Sequence, residues 1–247
     1  ASMGSMRTQS YSCAFNVQAG RHWKYQIGIW VKDIDQWVTL RFQRSGVYNY
    51  MVFTNGDFGS ARGVDFVFEY RGKKINTNLQ YTFSVAKANS QYDWAQAGAV
   101  YQDAPVQEFM MPYDRPHDLT LAVYVKLRFG INAGLTGFYQ SGYPYTALIY
   151  KPGDREPKVD IENLFSKRAP SYKNVNFSLS KKISYGRQTL ALGFRVFNIF
   201  DIKNALDIHP LSGRADTPGS YYEDFVGLPG TDPNGHGVYA DKSGSYY

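Results

Sequence analysis

The sequence predicts an all-β protein, an antiparallel transmembrane β-barrel wall of about eight strands with short periplasmic turns and long extracellular loops. Three observations predict it. Apolar and polar residues alternate with a period of two in eight segments, which puts every second side chain on the same face of a strand. The connections between segments alternate in length, tight and then long. Aromatic residues make up 17% of the chain, with 21 Tyr and 16 Phe, yet no run of about 18 apolar residues offers a spanning helix. A barrel wall reconciles the last two facts, because half its side chains face lipid and half face a wet lumen, so any sequence window looks only half hydrophobic.

Taken in order, Tyr11, Cys13, Phe15 and Val17 mark the first strand. In the second, Trp23, Tyr25, Ile27, Ile29 and Val31 share a face, opposite Lys24, Gln26, Gly28, Trp30 and Lys32. Val64, Phe66, Phe68 and Tyr70 alternate with Asp65, Val67 and Glu69 in the third. The fourth sets Thr77, Leu79, Tyr81, Phe83 and Val85 against Asn76, Asn78, Gln80, Thr82 and Ser84. Leu119, Leu121, Val123, Val125 and Leu127 oppose Thr120, Tyr124, Lys126 and Arg128, and Ile131, Ala133, Leu135 and Tyr139 oppose Asn132, Thr136 and Gln140. In the last pair, Val175, Phe177 and Leu179 alternate with Asn176, Ser178 and Ser180, and Leu190, Leu192, Phe194 and Val196 with Ala191, Gly193 and Arg195.

Ala19 to His22, Arg71 to Lys74, Phe129-Gly130 and Ser184 to Gln188 have the length of hairpin turns. Long loops are expected at the other ends, from Ile34 to Arg62, Ala86 to Asp118 and Ser141 to Lys173. A soluble sandwich would carry similar turns at both ends, whereas outer-membrane barrels have short periplasmic turns and long outward loops. Strands of about ten residues, at ~3.3 Å each and a ~40° tilt, match the ~25 Å apolar band of an outer membrane. Trp23, Tyr25 and Tyr185 fall beside the short turns and Tyr81, Phe83 and Tyr139 toward the long loops, as interfacial girdles require. By domain, residues 1–10 read as a linker, 11–204 as barrel strands with extracellular loops, and 205–247 as an extracellular loop without its closing strand.

A net charge of +6 could point to nucleic acid, but the 27 Lys and Arg residues form no sustained basic stripe, so no nucleic-acid partner is expected. The single cysteine, Cys13, excludes an internal disulfide and reads as a small wall residue.

In chain order, several local motifs resemble the last third of the barrel of TonB-dependent outer-membrane receptors. Tyr25-Gln-Ile-Gly-Ile-Trp-Val-Lys-Asp-Ile34 is similar to the strand that runs into an outward extension. Thr54-Asn-Gly-Asp57 with Ala61-Arg-Gly-Val-Asp65 is similar to its return strand, with Asp65 where Glu is commoner. Tyr113-Asp-Arg-Pro-His117, Tyr139-Gln-Ser-Gly-Tyr-Pro-Tyr-Thr146, Arg168-Ala-Pro-Ser-Tyr172 and Phe194-Arg-Val-Phe-Asn-Ile-Phe200 with Asn204 are similar to four further landmarks. The resemblance implies an integral protein of the bacterial outer membrane, part of a barrel of about 22 strands, that imports a small-molecule or oligomeric nutrient. It implies as partners the outer-membrane lipid and lipopolysaccharide, a plug domain, the remaining barrel strands, and TonB through an amino-terminal part. It assigns structural landmark roles to Asp57, Gly63, Asp65, Asp114, Arg115, His117, Gly142, Arg168 and Asn198, and implies no cofactor and no enzymatic activity. A structural or adhesive barrel component of a larger complex is the alternative.

Catalysis would need converging titratable groups, and Asp114, His117 and Asp118, at a strand's outward end, are the candidate set for an outer-membrane hydrolase. Their coincidence with a landmark makes hydrogen bonding at a loop-to-strand junction the simpler role. His22, His209 and His236 are isolated and lack metal-ligand spacing. Asp232 to Asp241 has some oxygen side chains of a calcium loop, but His236 and Ser243 stand where ligands are required, so no metal site is expected. Ligand contacts should come from the loops, where Trp37, Tyr48, Trp94, Tyr101, Tyr143 and Tyr145 are the candidates. The polar rows at Asn76, Asn78, Gln80, Asn132, Thr136, Asn176 and Ser178 are expected to solvate the lumen or contact a plug.

Overall fold

The computed structural model describes residues 4–89, 108–150, 157–160 and 162–217. All eight expected strands are present, as β1 (Arg7–Ala19), β2 (Trp23–Ser45), β3 (Tyr48–Arg71), β4 (Ile75–Asn89), β6 (His117–Lys126), β7 (Ile131–Gln140), β12 (Tyr172–Tyr185) and β13 (Gln188–Val196). They pair antiparallel in sequence order, and the two-residue β5 (Phe109–Met110) adds to the far end of β4. Among the described residues β1 and β13 are the two edges of this meander. No helix among them is long and apolar enough to cross a membrane.

Each tight turn has a local cause, the second closing through a 2.8 Å bond from Gly72 N to Ile75 O. Gly20 (φ +65°) and Gly186 (φ +59°) take the left-handed conformation that closes the first and last hairpins, which glycine adopts without a Cβ penalty. Leu127 and Ile131 close the third through a 2.7 Å backbone bond around the 3-10 turn Arg128–Gly130.

The segment from Ile34 to Arg62 departs from the expected loop. β2 and β3 continue past the membrane band as one long hairpin, pairing out to Ser45↔Tyr48. The register slips between Ile34 and Trp37, where Asp35 and Gln36 oppose the single residue Phe58, and slips back between Trp37 and Val38. Gln36 takes a φ of +56° at this bulge, and Asn55 Nδ2 donates to its carbonyl at 2.9 Å. Asp35, at the first slip, ends the period-two pattern, which is why alternation alone stops at Ile34. The segment between Ser141 and Lys173 also contains pairing, with β8 (Pro144–Tyr145) on β11 (Lys167–Arg168) and β9 (Leu148–Ile149) on β10 (Lys158–Val159). β1 begins at Arg7, so Arg7 to Ser10 pair with β2.

The register carries the period-two reading into two faces. One face aligns Phe15 with Ile27, Ile27 with Phe66, Phe66 with Tyr81, Tyr81 with Leu119, and Leu179 with Phe194. That face is open to its surroundings, since Phe15 is 69% exposed, Ile29 54% and Phe194 59%. The opposite face aligns Gly28 with Asp65, Asp65 with Thr82, and Thr82 with Asp118. A soluble sandwich would bury the first face and expose the second. Here the buried side chains, Ala88, Phe109, Asp114, Ser141, Pro144, Ala169 and Ile208, all lie at the long-loop end. Among the described residues the wall buries no apolar face against a second layer, which is the arrangement of a sheet whose solvent on one side is hydrocarbon.

Interfacial aromatics gather where they were expected. Trp23 packs tilted against Tyr70 (4.4 Å) and Phe68 (5.5 Å), and Phe68 meets Tyr25 (5.3 Å), beside the first two short turns. Tyr185 is 86% exposed beside the last. Tyr81 and Phe83 gather on His117 toward the long-loop end.

Candidate functional site

The polar face of the wall rises into a recess of about 340 Å³ at the long-loop rim, lined by Trp30, Thr82, Ser84, Asp118 and Gln140 from the strands and by Tyr113, Asp114 and Arg115 from the segment entering β6. The backbone needs of β4 place this segment. β6 pairs with β4 only as far as His117↔Phe83, leaving the Ala86 amide beyond the end of its neighbour. Asp114 substitutes for a strand there, because its Oδ1 accepts the Ala86 N–H at 2.6 Å while the Ala86 carbonyl accepts from Met111 N at 2.9 Å.

The other Asp114 oxygen, Oδ2, accepts from Arg168 Nη2 at 2.6 Å. Arg168 Nη1 donates to the carbonyls of Asp114 (3.1 Å) and Gly142 (3.2 Å). Asp114 is 2% exposed, and a buried carboxylate persists only when paired and hydrogen-bonded. One arginine thereby ties the start of β6, the end of β7 and β11 together. Gly142 lies against Ala169 so closely that a Cβ would overlap the Ala169 carbonyl oxygen. Ser141 N donates to His117 O at 2.8 Å, and Ser141 Oγ accepts from His117 N at 3.2 Å. Of the landmark residues, Asp114, Gly142 and Arg168 thus form one knot, adjoined by His117.

The others serve the wall. Asp65 accepts from Thr82 Oγ1 at 2.7 Å on the polar face. Gly63 lies under the Trp30 ring, where a Cβ would stand 2.5 Å from Trp30 Cζ2, so a flat indole occupies the space of a missing side chain. Arg115 bonds Gln140 Oε1, and Gln140 Nε2 donates to Asp118 Oδ2 at 2.7 Å. Asn198 (φ +53°) closes the turn after β13, exchanging side-chain bonds with Ile202 at 3.0 and 3.1 Å and donating its amide to Asn176 Oδ1 at 3.0 Å. The backbone of Asp57 belongs to β3, but its side chain lies outside the described residues.

The hydrolase candidates separate. The His117 ring lies on the apolar face, sharing a 2.8 Å hydrogen bond with the Tyr81 hydroxyl. Asp118 lies on the polar face with Gln140, and Asp114 is committed to Ala86 and Arg168. No atom could approach all three at once.

Of the ligand candidates, Tyr143 and Tyr145 come together. Tyr143 Oη donates to Asp207 at 3.3 Å, and Tyr145 reaches Gly213. Burial raises the pKa of both phenols, and the Asp207 carboxylate raises that of Tyr143 further. Trp37 and Tyr48 stand apart on the β2–β3 hairpin and are strand rather than loop residues, Trp37 covering Gly59 and Tyr48 76% exposed near the tip. Tyr145 is likewise in β8. Trp94 and Tyr101 lie outside the described residues, as do His236 and the Asp232 to Asp241 segment. Of the polar rows, Asn76 and Asn78 are joined by Glu69, Arg71 and Tyr124 around a second recess of about 310 Å³ nearer the short turns. Trp30 was visible in the sequence as the one aromatic among the polar positions of its strand, but its partner glycine is 33 residues away and no local spacing links them.

No family model matches the sequence, and no curated protein matches it. Among solved structures, the chain is similar in fold to the outer membrane transporter YddB from Escherichia coli, with a TM-score of 0.58 at 11% identity over 82% of this chain. The chain spans 30% of the length of that transporter. The shared feature is the fold, an antiparallel β-barrel wall.

Proposed function

We propose that this chain forms part of the wall of an outer-membrane barrel that imports a nutrient, with uptake driven through TonB. One observation carries the reading: the continuous face running from Phe15 to Phe194 is apolar and open, while the face carrying Asp65, Thr82, Asp118 and Gln140 is polar and hydrogen-bonded. Only hydrocarbon outside and water inside make that pairing of faces stable. The described outer-membrane transporter with the same wall supports transport as its use. A plug domain, further strands and a TonB-contacting segment complete the proposal, on the strength of the ordered motifs around Asp114, Gly142 and Arg168.

The orientation of the faces is testable in the full-length protein. Leu121→Arg, on the apolar face near mid-strand, should lower membrane insertion by about 2–4 kcal/mol, while the neighbouring Thr120→Arg should be tolerated. Insertion is read as the fraction with heat-modifiable gel mobility, and the reverse ranking sinks the assignment. Import is tested in cells lacking the protein, by uptake of a panel of labelled nutrients with and without a protonophore. Loss of one uptake activity, reproduced by the protonophore, is expected. Unchanged uptake across the panel, or loss indifferent to the proton gradient, refutes energised import.

A further inference from the structure

The polar face of the wall changes character toward the short turns. Farther from them its acids are engaged by neutral partners, Asp65 by Thr82 and Asp118 by Gln140, both at 2.7 Å. The foot of the face is basic. Each hairpin places a cation there beside its short turn, Lys24 in β2, Arg71 in β3, Lys126 in β6 and Lys182 in β12. The register fixes the facing, because Lys24 pairs with Glu69, Arg71 with Asn76, Lys126 with Asn132 and Lys182 with Ala191, all in the polar rows.

The fold joins these four positions into one rim. Arg71 N donates to His22 O at 2.8 Å, and Lys126 N donates to Lys74 O at 2.7 Å. Gly130 lies against the Lys182 carbonyl oxygen, which a Cβ would approach to 3.2 Å. Two recesses open on this face, of about 330 and 310 Å³, and they share Glu69 and Arg71. Gln18, Asn76, Asn78 and Tyr124 add amide and hydroxyl donors to their walls. Glu69 is the acid of the foot, accepting from Arg71 Nη2 at 2.9 Å. That pairing consumes a fraction of the donors, since a guanidinium carries five N–H groups and the Arg71 side chain is 77% exposed. Lys24, Lys126 and Lys182 are exposed as well. Four cations against one carboxylate leave the foot positive.

We propose that the short-turn mouth of the lumen is an anion-binding ring, and that the imported nutrient carries carboxylate or phosphate groups. Rings of Lys and Arg select anions where a solute crosses a lumen, because charge-assisted hydrogen bonds replace the water the anion gives up. The cations are spread one to a hairpin, which suits a solute passing along the rim. An acidic polypeptide docked at one place would call for a cluster. The inference rests on the import reading above and names the substrate class within it.

The test uses the full-length protein extracted in detergent, its fold checked by heat-modifiable gel mobility. Equilibrium dialysis at low salt measures binding of labelled citrate, pyrophosphate and sucrose. At least one anion should bind and sucrose should not, the tighter anion telling carboxylate from phosphate. K24Q/R71Q/K126Q should weaken anion binding by about tenfold or more, while K24R/R71K/K126R, which keeps the charges, should retain it. Lys203→Gln, at the long-loop end, should leave binding unchanged. Folded protein that binds neither anion, or a glutamine variant that binds like the parent, overturns the ring. In cells, the nutrient whose uptake depends on this protein should be anionic, and the glutamine variant should slow its uptake by about tenfold. Dependence of a neutral or cationic nutrient overturns the substrate class. Unchanged uptake across the panel defeats the import reading instead, while dialysis still decides the ring. Polyglutamate bound in place of both anions, and lost in the glutamine variant, would replace the solute by an acidic polypeptide.

Discussion

Two segments carry the chain beyond the membrane band, and they are held by different means. The β2–β3 hairpin projects outward on its own backbone ladder, with paired residues from Trp37↔Asp57 to Ser45↔Tyr48 and a bulge braced by Asn55. Among the described residues the segment from Ser141 to Pro170 has only two-residue strand pairs and depends on side chains, with Arg168 reaching three acceptors and Gly142 lying against Ala169. A ladder spreads its stabilisation over many equivalent bonds, so single side chains matter little. A knot concentrates it in a few buried polar groups, each costly to leave unpaired. The same sheet therefore supports one robust and one fragile projection.

That contrast can be broken most severely at Gly142. Gly142→Ala forces the β8–β11 region off the Ala169 carbonyl, and a loss of about 3 kcal/mol or more is expected, read as protease cleavage between Ser141 and Pro170 in otherwise inserted protein. Arg168→Ala strands the buried Asp114 carboxylate and should cost about 2–4 kcal/mol, somewhat less than a fully enclosed pair because Arg168 is 32% exposed. Equal protease resistance in Arg168→Ala and the parent would show that the knot does not hold this segment. Within the wall, Gly63→Val displaces the Trp30 ring and should cost about 1–3 kcal/mol in the urea midpoint, and Trp30→Ala combined with it should recover part of that loss. The smallest effect belongs to the ladder-held hairpin. Asn55→Ala removes the brace at the bulge and two exposed bonds to the Gly4 backbone, and should cost about 1 kcal/mol, with limited proteolysis of residues 35–57 nearly unchanged. A loss there as large as that of Arg168→Ala would erase the distinction.

Raising the pH sharpens the comparison on the knotted side alone. The pKa of Tyr143 is raised by burial and by Asp207, so its contribution is complete below the ordinary tyrosine value of 10.0 and is lost as pH climbs through the raised one. Tyr143→Phe should lessen the alkaline sensitivity of proteolysis in the Ser141 to Pro170 region, the buried Tyr145 phenol keeping the remainder.

Much of this wall was legible because lipid and water impose opposite demands on alternate residues. That two-sided selection is why Leu119 to Leu127 and Thr77 to Val85 could be assigned to faces from spacing alone. Legibility ended where the constraint ended. Beyond Ile34 two opposed bulges shift the register and interrupt the alternation, so the ladder from Trp37 to Ser45 read as loop. The knot was foreseen as hydrogen bonding at a loop-to-strand junction. Its particular partners were not, because Asp114 and Arg168 are 54 residues apart and the amide that needs the carboxylate belongs to Ala86. Of the aromatic candidates, composition found Tyr143 and Tyr145 but could not tell that Asp207 would occupy the first hydroxyl.

Where Trp30 lies flat over Gly63, and Tyr124 over Gly134, bulky rings take positions on the inner surface without rising from it. The clearance of any conduit bounded by this surface is then governed by two missing methyl groups as much as by the rings themselves. Restoring a side chain beneath either ring would push it off the sheet and narrow any such conduit, so a calibre usually attributed to strand number would here also be written in glycine.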